Sequence, residues 1–152
     1  MTKVCFSAKE PIVNNHDALH NLRHSAAHVL AQAVTELFPG TKLTIGPVTE
    51  TGFFYDFLPV TNFKEDDLPC IEEKMREVAL RNCPIVGGQV PKDNARALFK
   101  DNQFKLELID GIEGDTVGVY HQGEWFDLCR GGHTATTGDV KYFKLMTISG
   151  AY

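Results

Sequence analysis

The feature that most constrains the fold is a long helical pattern near the start of the chain. From residue 17 to residue 38, apolar residues recur at the spacing that lines one side of an α-helix. They are Leu19, Leu22, Ala26, Val29, Leu30, Ala33, Val34 and Leu37. Pro39 and Gly40 then end the pattern, because neither residue readily continues a helix. This is the longest and most apolar helix that the sequence predicts, so we expect it at the centre of the fold.

The rest of the chain alternates between shorter predicted helices and strands. Helical spacing predicts two further helices, at residues 65–81 and 93–100. Alternating patterns and turn signals predict strands at residues 42–45, 52–57, 104–109, 116–121, 124–128 and 140–148. The sequence therefore predicts an α+β fold, with one buried helix among peripheral helices and strands from both halves. We assign residues 1–16 to a lead-in or linker and residues 17–152 to a single domain.

Two pairs of side chains are the strongest candidates for a catalytic or metal-binding site, and the residues of each pair are four apart. His24 and His28 lie in the first half of the long helix, where this spacing points both rings to the same side. Cys129 and His133 lie far along the chain. A fold that joins the two pairs builds a site that a structural core seldom needs. The sequence therefore predicts a chemical site.

Two kinds of chemistry fit this set of residues. Histidines from a helix, with a cysteine and a histidine from a loop, are ligands for tetrahedral zinc. Such a site is structural when all four are bound, and it can hydrolyse when three are bound and a water completes the shell. Without a metal, a histidine that titrates near pH 6.5 can deprotonate a water while neighbouring groups stabilise the oxyanion. Spacing alone leaves both chemistries open.

Composition narrows the class of protein. An apolar content of 43% and a charged content of 23% are typical of a globular protein. No apolar run approaches the length of about 20 residues that a membrane span needs, so no membrane partner is expected. The cysteines are scattered without a paired spacing, which favours a reducing cytoplasm over a disulfide framework. A net charge of −5 argues against a sequence-blind nucleic-acid binder, although it leaves room for one local contact to RNA.

Three further polar residues have ordinary interpretations on pattern alone. Lys105 alternates with apolar neighbours, which predicts a strand residue that faces solvent. Asp127 fits the exposed side of a strand in the same way. Tyr55 belongs to an aromatic run typical of a core strand, but its hydroxyl needs a hydrogen-bond partner. Pattern alone therefore gives none of the three a chemical role.

Several segments of the chain resemble one family in the same order. Residues 23–33 (RHSAAHVLAQA) resemble the helix that opens the editing domain shared by threonyl- and alanyl-tRNA synthetases. Residues 45–57 (IGPVTETGFFYDF) resemble the threonyl version specifically, as do residues 127–133 (DLCRGGH) and 137–145 (TGDVKYFKL). Residues 149–152 (SGAY) resemble the junction with the catalytic domain. The resemblance implies the editing-domain fold, in which a long central helix packs against antiparallel β-sheets.

The function implied by this resemblance is hydrolysis of serine mis-attached to threonine tRNA in the cytoplasm. The partner would be the 3′ end of that tRNA carrying serine. In the family, residues that match seven positions of this sequence line the editing pocket. They are His24, His28, Tyr55, Lys105, Asp127, Cys129 and His133. The resemblance thus gives Lys105 and Asp127 a role that pattern alone does not.

The mechanism expected from the resemblance is attack of water on the serine ester. His24 is the candidate general base, and Lys105 would stabilise the oxyanion or protonate the departing ribose oxygen. Asp127 would orient Lys105 or bind the serine amino group. The four remaining pocket residues would bind substrate. The threonyl branch implies no required cofactor, whereas alanyl-type relatives bind zinc at the positions of His24, His28, Cys129 and His133.

The sequence departs from the family in two ways. The family usually has proline where this chain has Gly132, so we expect a more mobile loop with a different backbone next to the pocket. The aminoacylation domain, which binds ATP, and the anticodon-binding domain have no counterpart in the 152 residues. We therefore expect either an excised module, whose partner is the remainder of a threonyl-tRNA synthetase, or a free-standing editor. The alternative functions are zinc-dependent hydrolysis of aminoacyl-tRNA of the alanyl type and non-catalytic binding of tRNA or zinc.

Overall fold

The computed structural model describes residues 2–7 and 16–150. Within these residues the helices are α1 (His16–Leu37), α2 (Asp67–Leu80), α3 (Lys92–Leu98) and α4 (Gln103–Gly111), with a 3-10 turn at Thr137–Asp139. The strands are β1 (Thr2–Ser7), β2 (Lys42–Leu43), β3 (Phe53–Leu58), β4 (Ile85–Pro91), β5 (Thr116–Gln122), β6 (Trp125–Leu128) and β7 (Lys144–Gly150). The predicted α+β class is confirmed.

The strands form two separate antiparallel sheets. The first has the order β2-β3-β1-β7, and the second has the order β4-β5-β6. Strand β1 lies within the segment that the sequence analysis assigned to a lead-in, and residues 8–15 of that segment lie outside the described residues. The domain boundary at residue 16 stays a prediction.

Helix α1 lies at the centre of the larger core, as its sequence pattern predicted. Every residue from 25 to 34 is buried, so the middle of the helix has no face open to solvent. Its apolar side chains pack with those of β3 and α2, among them Leu30, Phe53 and Ile71, each 0% exposed. Full burial of one such side chain contributes about 1.5–3 kcal/mol to folding. We call the four-stranded sheet with α1 and α2 the first lobe.

The second lobe consists of the three-stranded sheet with α3 and α4. Its smaller core contains Ala95, Phe99, Ile109, Val117 and Val119. Two amide side chains join this lobe to the first. The Gln122 side chain donates to Gln32 Oε1 on α1 at 2.8 Å, and the Asn102 side chain donates to the Leu43 carbonyl on β2 at 2.8 Å.

The predicted strand at residues 104–109 is wrong, because this segment is helix α4. The two buried residues of the helix, Lys105 and Ile109, are four apart, which is helical spacing. Asn102 caps the first turn, since its side-chain oxygen accepts a hydrogen bond from the Lys105 amide at 3.3 Å. The alternation of apolar residues over six positions favours a strand, but the capping residue and the packing of one helical face favour the helix that forms.

Two other elements differ from the prediction. Strand β4 was not predicted, because its Gly87-Gly88 pair is typical of a turn. Gly87 instead allows close packing, since a Cβ there would lie 2.2 Å from the Val119 carbonyl oxygen on β5. The last strand begins at Lys144 rather than at residue 140, because the 3-10 turn precedes it. Among the described residues, no helix combines the length and apolar character that crossing a membrane requires.

Candidate functional site

Helix α1 carries the first pair of predicted site residues. The rings of His24 and His28 meet edge to face, with 4.8 Å between their centroids. His28 is buried, and its other side packs against the ring of Trp125 on β6 at 5.3 Å. His24 is half-buried. The two rings therefore face one space between the lobes.

The loop after β6 brings Cys129 and His133 to the same space. One nitrogen or sulfur atom from each of His24, His28, Cys129 and His133 lies within 4.8 Å of the other three. The rings of His24 and His133 stack with centroids 3.9 Å apart. Cys129 Sγ lies 3.3 Å from His133 Nε2. We call these four residues the His–Cys cluster.

Backbone geometry and one helix residue shape this loop. Gly131 and Gly132 have φ values of +96° and +84°, which residues with side chains rarely adopt. Ser25 on α1 holds the end of the loop, because its Oγ accepts a hydrogen bond from the Thr134 amide at 2.9 Å. The same Oγ lies 3.0 Å from His133 Nδ1, which fixes the orientation of that ring.

A second group of buried polar residues lies beside the His–Cys cluster. The Lys105 ammonium lies 2.7 Å from Asp127 Oδ1 and donates to the Tyr55 hydroxyl at 3.1 Å. The Tyr55 hydroxyl in turn donates to Asp127 Oδ2 at 2.5 Å. We call Tyr55, Lys105 and Asp127 the Lys–Asp–Tyr cluster. It joins strand β3, helix α4 and strand β6, and therefore both lobes.

The surface positions predicted by pattern for Lys105 and Asp127 are wrong. Lys105 is 2% exposed and Asp127 is 1% exposed. Lys105 lies on a helix rather than a strand, and its helical partner Ile109 is part of the core of the second lobe. A buried lysine and aspartate are normally paired, since an unpaired buried charge is costly. The burial of each residue therefore depends on the other.

Asp127 connects the two clusters. Its Oδ2 lies 3.8 Å from His28 Nε2. Its Oδ1 accepts a hydrogen bond from the Leu128 amide at 2.8 Å in addition to the contact with Lys105. All seven residues singled out from the sequence therefore lie in one contiguous polar network between the lobes.

Burial changes the protonation of this network. Desolvation lowers the pKa of His24, and the carbonyls of Gly132 and Gly131 oppose this only in part. Desolvation also lowers the pKa of His28 well below its usual value and that of His133 to about 2. The imidazoles are therefore neutral at pH 7. Burial raises the pKa of the Cys129 thiol to about 12, so this thiol keeps its proton at pH 7.

The His–Cys cluster has a donor set that suits a zinc ion. Imidazole nitrogens and a cysteine sulfur are the usual ligands of tetrahedral zinc. His24 and His133 each direct one ring nitrogen to a protein oxygen, which leaves the other nitrogen for a metal, as is common around bound zinc. His28 Nδ1 has no such partner among the described residues. The four residues thus form a possible metal-binding group.

Sequence reasoning missed two residues of the site, Ser25 and Trp125. Ser25 is 0% exposed on an otherwise apolar part of α1. A polar residue at that position is unusual, and together with His28 and Gln32 it forms a polar line along the buried helix. That line is the signal that could have identified Ser25. Trp125 supports His28, but a single tryptophan next to a predicted turn carries no comparable signal.

A cleft of about 630 Å³ opens on the Cys129 side of the network. Its walls are mostly apolar, with Ile45 and Pro47 from the first lobe and Leu108 and Ile112 from the second. Cys129 and Arg130 also line the cleft. Cys129 is therefore a member of both the cleft lining and the His–Cys cluster.

Known proteins resemble this chain over most of its length. The chain is 52% identical to a threonine–tRNA ligase of Rubrobacter xylanophilus over 136 residues, which are 90% of this chain and 21% of that ligase. It is 54% identical over 139 residues to the corresponding ligase of Rhizobium etli. It is 50% identical over 152 residues to the corresponding ligase of Brucella canis, of which it covers 23%. The chain thus spans about a fifth of the length of the curated relatives it matches.

A family profile matches one part of the chain. Residues 117–151 match the family described as the threonyl and alanyl tRNA synthetase second additional domain. This match covers β5, β6 and β7 and includes Asp127, Cys129 and His133. The remaining site residues lie in the part of the chain that aligns with the ligases. Residues 117–151 therefore match the second additional domain family of the threonyl- and alanyl-tRNA synthetases, and most of the chain is similar to threonine–tRNA ligases, which is consistent with the editing-domain region of a threonyl-tRNA synthetase.

Proposed function

We propose that this domain hydrolyses the ester of serine mis-attached to threonine tRNA, as the proofreading part of a threonyl-tRNA synthetase. The observation that carries the proposal is the joining of two groups in one buried network. Neutral imidazoles from α1 and the loop lie beside a buried ammonium ion held by Asp127. Ester hydrolysis needs these two components, a base for water and a positive charge for the oxyanion.

The need for such a domain follows from the chemistry of recognition. A synthetic pocket made for threonine cannot exclude serine by size, because serine is smaller by one methyl group. The missing methyl group provides only about 1–3 kcal/mol of discrimination. A second site that accepts serine and rejects the extra methyl group of threonine removes the error. The proposed substrate is therefore the 3′ end of threonine tRNA carrying serine.

His24 is the proposed general base. Its lowered pKa keeps the ring neutral at pH 7, so it can accept a proton. A water attacks the ester carbonyl and loses a proton to His24, which leaves a tetrahedral intermediate with a negatively charged oxygen. The intermediate collapses, the bond between the carbonyl carbon and the ribose oxygen breaks, and the ribose oxygen takes up the proton that His24 accepted, which returns His24 to its neutral form. Free serine and uncharged tRNA leave.

Lys105 is the proposed stabiliser of the negative charge. Its ammonium is held by Asp127 Oδ1 and the Tyr55 hydroxyl, so it needs no reorganisation during the reaction. Between them, the two carboxylate oxygens of Asp127 contact Lys105, the Tyr55 hydroxyl and the Leu128 amide. These contacts favour orientation of Lys105 as the role of Asp127, rather than binding of the serine amino group.

The remaining pocket residues are proposed to position substrate and water. His28 and His133 contact the ring of His24, and Tyr55 is held in the adjoining cluster by its hydrogen bond to Asp127. Cys129 is not proposed as a nucleophile, because its raised pKa of about 12 leaves little thiolate at pH 7. Its place between the cleft and His133 suits a role in shaping the pocket.

Zinc-dependent hydrolysis of the alanyl type is the second candidate function. The observation that favours it is the approach of four potential ligand atoms to within 4.8 Å of one another. His24, His28, Cys129 and His133 would hold the ion, which would supply an activated water when bound. The proposal of a metal-free reaction rests on the Lys–Asp–Tyr cluster, which already provides a positive charge.

The test is release of serine from serine-charged threonine tRNA by the purified protein, with and without a chelator. Threonine-charged tRNA tests selectivity. The decisive variant is His24→Ala, and its matched control is His121→Ala, a half-buried histidine on β5 outside the network. We expect selective serine release that survives chelator and His121→Ala but falls at least about a hundredfold in His24→Ala.

Three other results would contradict the proposal. Activity that disappears with chelator would favour the zinc reaction. Serine release unchanged in His24→Ala would remove His24 as the base. No release at protein concentrations high enough to offset weak tRNA binding would indicate a non-catalytic tRNA- or zinc-binding module.

A further inference from the structure

We propose that Gly132 is a positioning residue for His24. Its backbone carbonyl selects the tautomer of His24 that carries the proton on Nδ1, which leaves Nε2 as the atom that accepts a proton from water. The catalytic part of this inference rests on the proposed function, whereas the tautomer itself is a property of the folded chain and can be measured without substrate.

The hydrogen bond between His24 and the loop determines the tautomer. His24 Nδ1 lies 3.0 Å from the Gly132 carbonyl oxygen. A carbonyl oxygen only accepts hydrogen bonds, so Nδ1 must carry the hydrogen. In a neutral imidazole the other nitrogen then has a free electron pair. The base in this site is therefore Nε2.

Two contacts together fix the ring. The His133 ring stacks on His24 at 3.9 Å with 19° between the planes, and this contact sets the plane of the His24 ring. Stacking alone does not distinguish the two edges of an imidazole. The Gly132 carbonyl makes that distinction, because it binds only an edge with an N–H group. The loop thus contributes an orienting oxygen as well as the Cys129 and His133 side chains.

The conformation of position 132 favours glycine. Its φ of +84° is rare for residues with a side chain and impossible for proline, whose ring fixes φ near −65°. An added Cβ would lie 3.0 Å from Asn21 Oδ1, the end of a side chain on α1 that can shift, so φ is the main constraint. In this chain, proline would turn the carbonyl away from His24.

The experiment measures the tautomer directly by nitrogen-15 NMR of the histidine side chains. The His24 signals are assigned by their loss in the His24→Ala variant. Gly132→Pro and Gly132→Ala are compared with Gly132→Asn, since asparagine tolerates positive φ better than alanine does. Gly114→Ala is the matched control, because Gly114 has a φ of +90° and no atom within 4 Å of an added Cβ.

We expect the wild type, Gly114→Ala and Gly132→Asn to show a single His24 tautomer with the proton on Nδ1. Gly132→Pro and Gly132→Ala should shift His24 to a mixture or to the opposite tautomer. In those two variants kcat for serine release should fall about tenfold to a hundredfold, with little change in KM.

Two results would overturn the inference. One is a wild-type His24 that carries its proton on Nε2. The other is a folded Gly132→Pro or Gly132→Ala variant that keeps the Nδ1 proton, whatever happens to its kcat. If the wild type has the expected tautomer but releases no serine, the proposed function fails while the orienting contact stands, so the two failures are distinguishable. A change of tautomer with unchanged kcat would limit Gly132 to a structural role and contradict the proposal.

Discussion

The protonation states of single histidines in the site affect the stability of the whole fold. Three imidazoles, one buried and two half-buried, contact one another, and any two of them would repel if both were protonated. Burial keeps His24, His28 and His133 neutral, which is the state that the proposed reaction requires. In the unfolded chain the same residues take up protons near pH 6.5. Folding therefore becomes less favourable in acid.

We predict that the free energy of unfolding falls as pH drops below about 6.5. The pKa of His133 is lowered to about 2 and that of His28 well below its usual value. Below pH 6.5 the unfolded state therefore binds more protons than the folded state, which lowers stability by up to about 1.4 kcal/mol per pH unit for each such histidine. Urea unfolding between pH 7.5 and pH 5 measures the slope.

A variant can attribute this slope to the site. His133→Asn should unfold with a weaker pH dependence than the wild type, because one of the suppressed protonations is gone. The window above pH 5 excludes the carboxylates Glu36 and Glu77, whose lowered pKa values affect stability only at lower pH. A wild type equally stable at pH 7.5 and pH 5 would contradict the argument.

At the scale of elements, helix α4 positions the proposed cation. Asn102 caps the helix through its contact with the Lys105 amide and also donates to the Leu43 carbonyl of β2 in the other lobe. The side chain that starts the helix thus also fixes its place against the first sheet. A short helix of this kind depends strongly on its cap and on packing, because its own hydrogen bonds contribute little.

We predict that Asn102→Ala destabilises the fold by about 1–2 kcal/mol and lowers the rate of serine release. Both contacts of the side chain are lost, and the first turn that carries Lys105 becomes less well held. Gln103→Ala is the control, since Gln103 begins the same helix with an exposed side chain. Chemical unfolding and the release assay measure the two effects. Equal behaviour of the two variants would show that the cap does not support Lys105.

The elements differ in how far the sequence could predict them. Helix α1 was predictable because its periodicity extends over many turns and Pro39-Gly40 marks its end. Helix α4 was not predictable in this way, because the apolar alternation over six residues resembles a strand and the capping role of Asn102 depends on the folded structure.

The spacing of His24 with His28 and of Cys129 with His133 indicated the His–Cys cluster. Lys105 and Asp127 were predicted as site residues only through the family resemblance, because an ion pair between distant elements leaves no local pattern in the sequence. The orienting contacts of Ser25 and Gly132 depend on loop geometry.

At the scale of the whole molecule, the site exists only when the two lobes are docked. Tyr55 comes from the first lobe, and Lys105 and Asp127 come from the second. Next to this network, the buried amides of Gln32 and Gln122 meet across the boundary. The second side-chain atom of Gln122, Oε1, has no partner among the described residues. The amide pair is thus a specific contact between lobes that is only partly satisfied.

We predict strong coupling between Gln32 and Gln122 in a double-mutant cycle. Gln32→Leu leaves the Gln122 amide buried without its acceptor and should destabilise the fold by about 1–3 kcal/mol. Adding Gln122→Leu removes the orphaned amide and should recover much of that loss. Urea unfolding of the wild type, both single variants and the double variant gives the coupling energy. Additive losses would mean that the amides do not interact across the lobes.

The complete burial of the middle of α1 restricts how the length of the chain can change. One inserted or deleted residue between positions 25 and 34 would rotate all later side chains of the helix by about 100° and move them by about 1.5 Å. Ser25, His28 and Gln32 face different partners along that stretch, so no such shift keeps all of them in place. Insertions and deletions within residues 25–34 are therefore incompatible with this site.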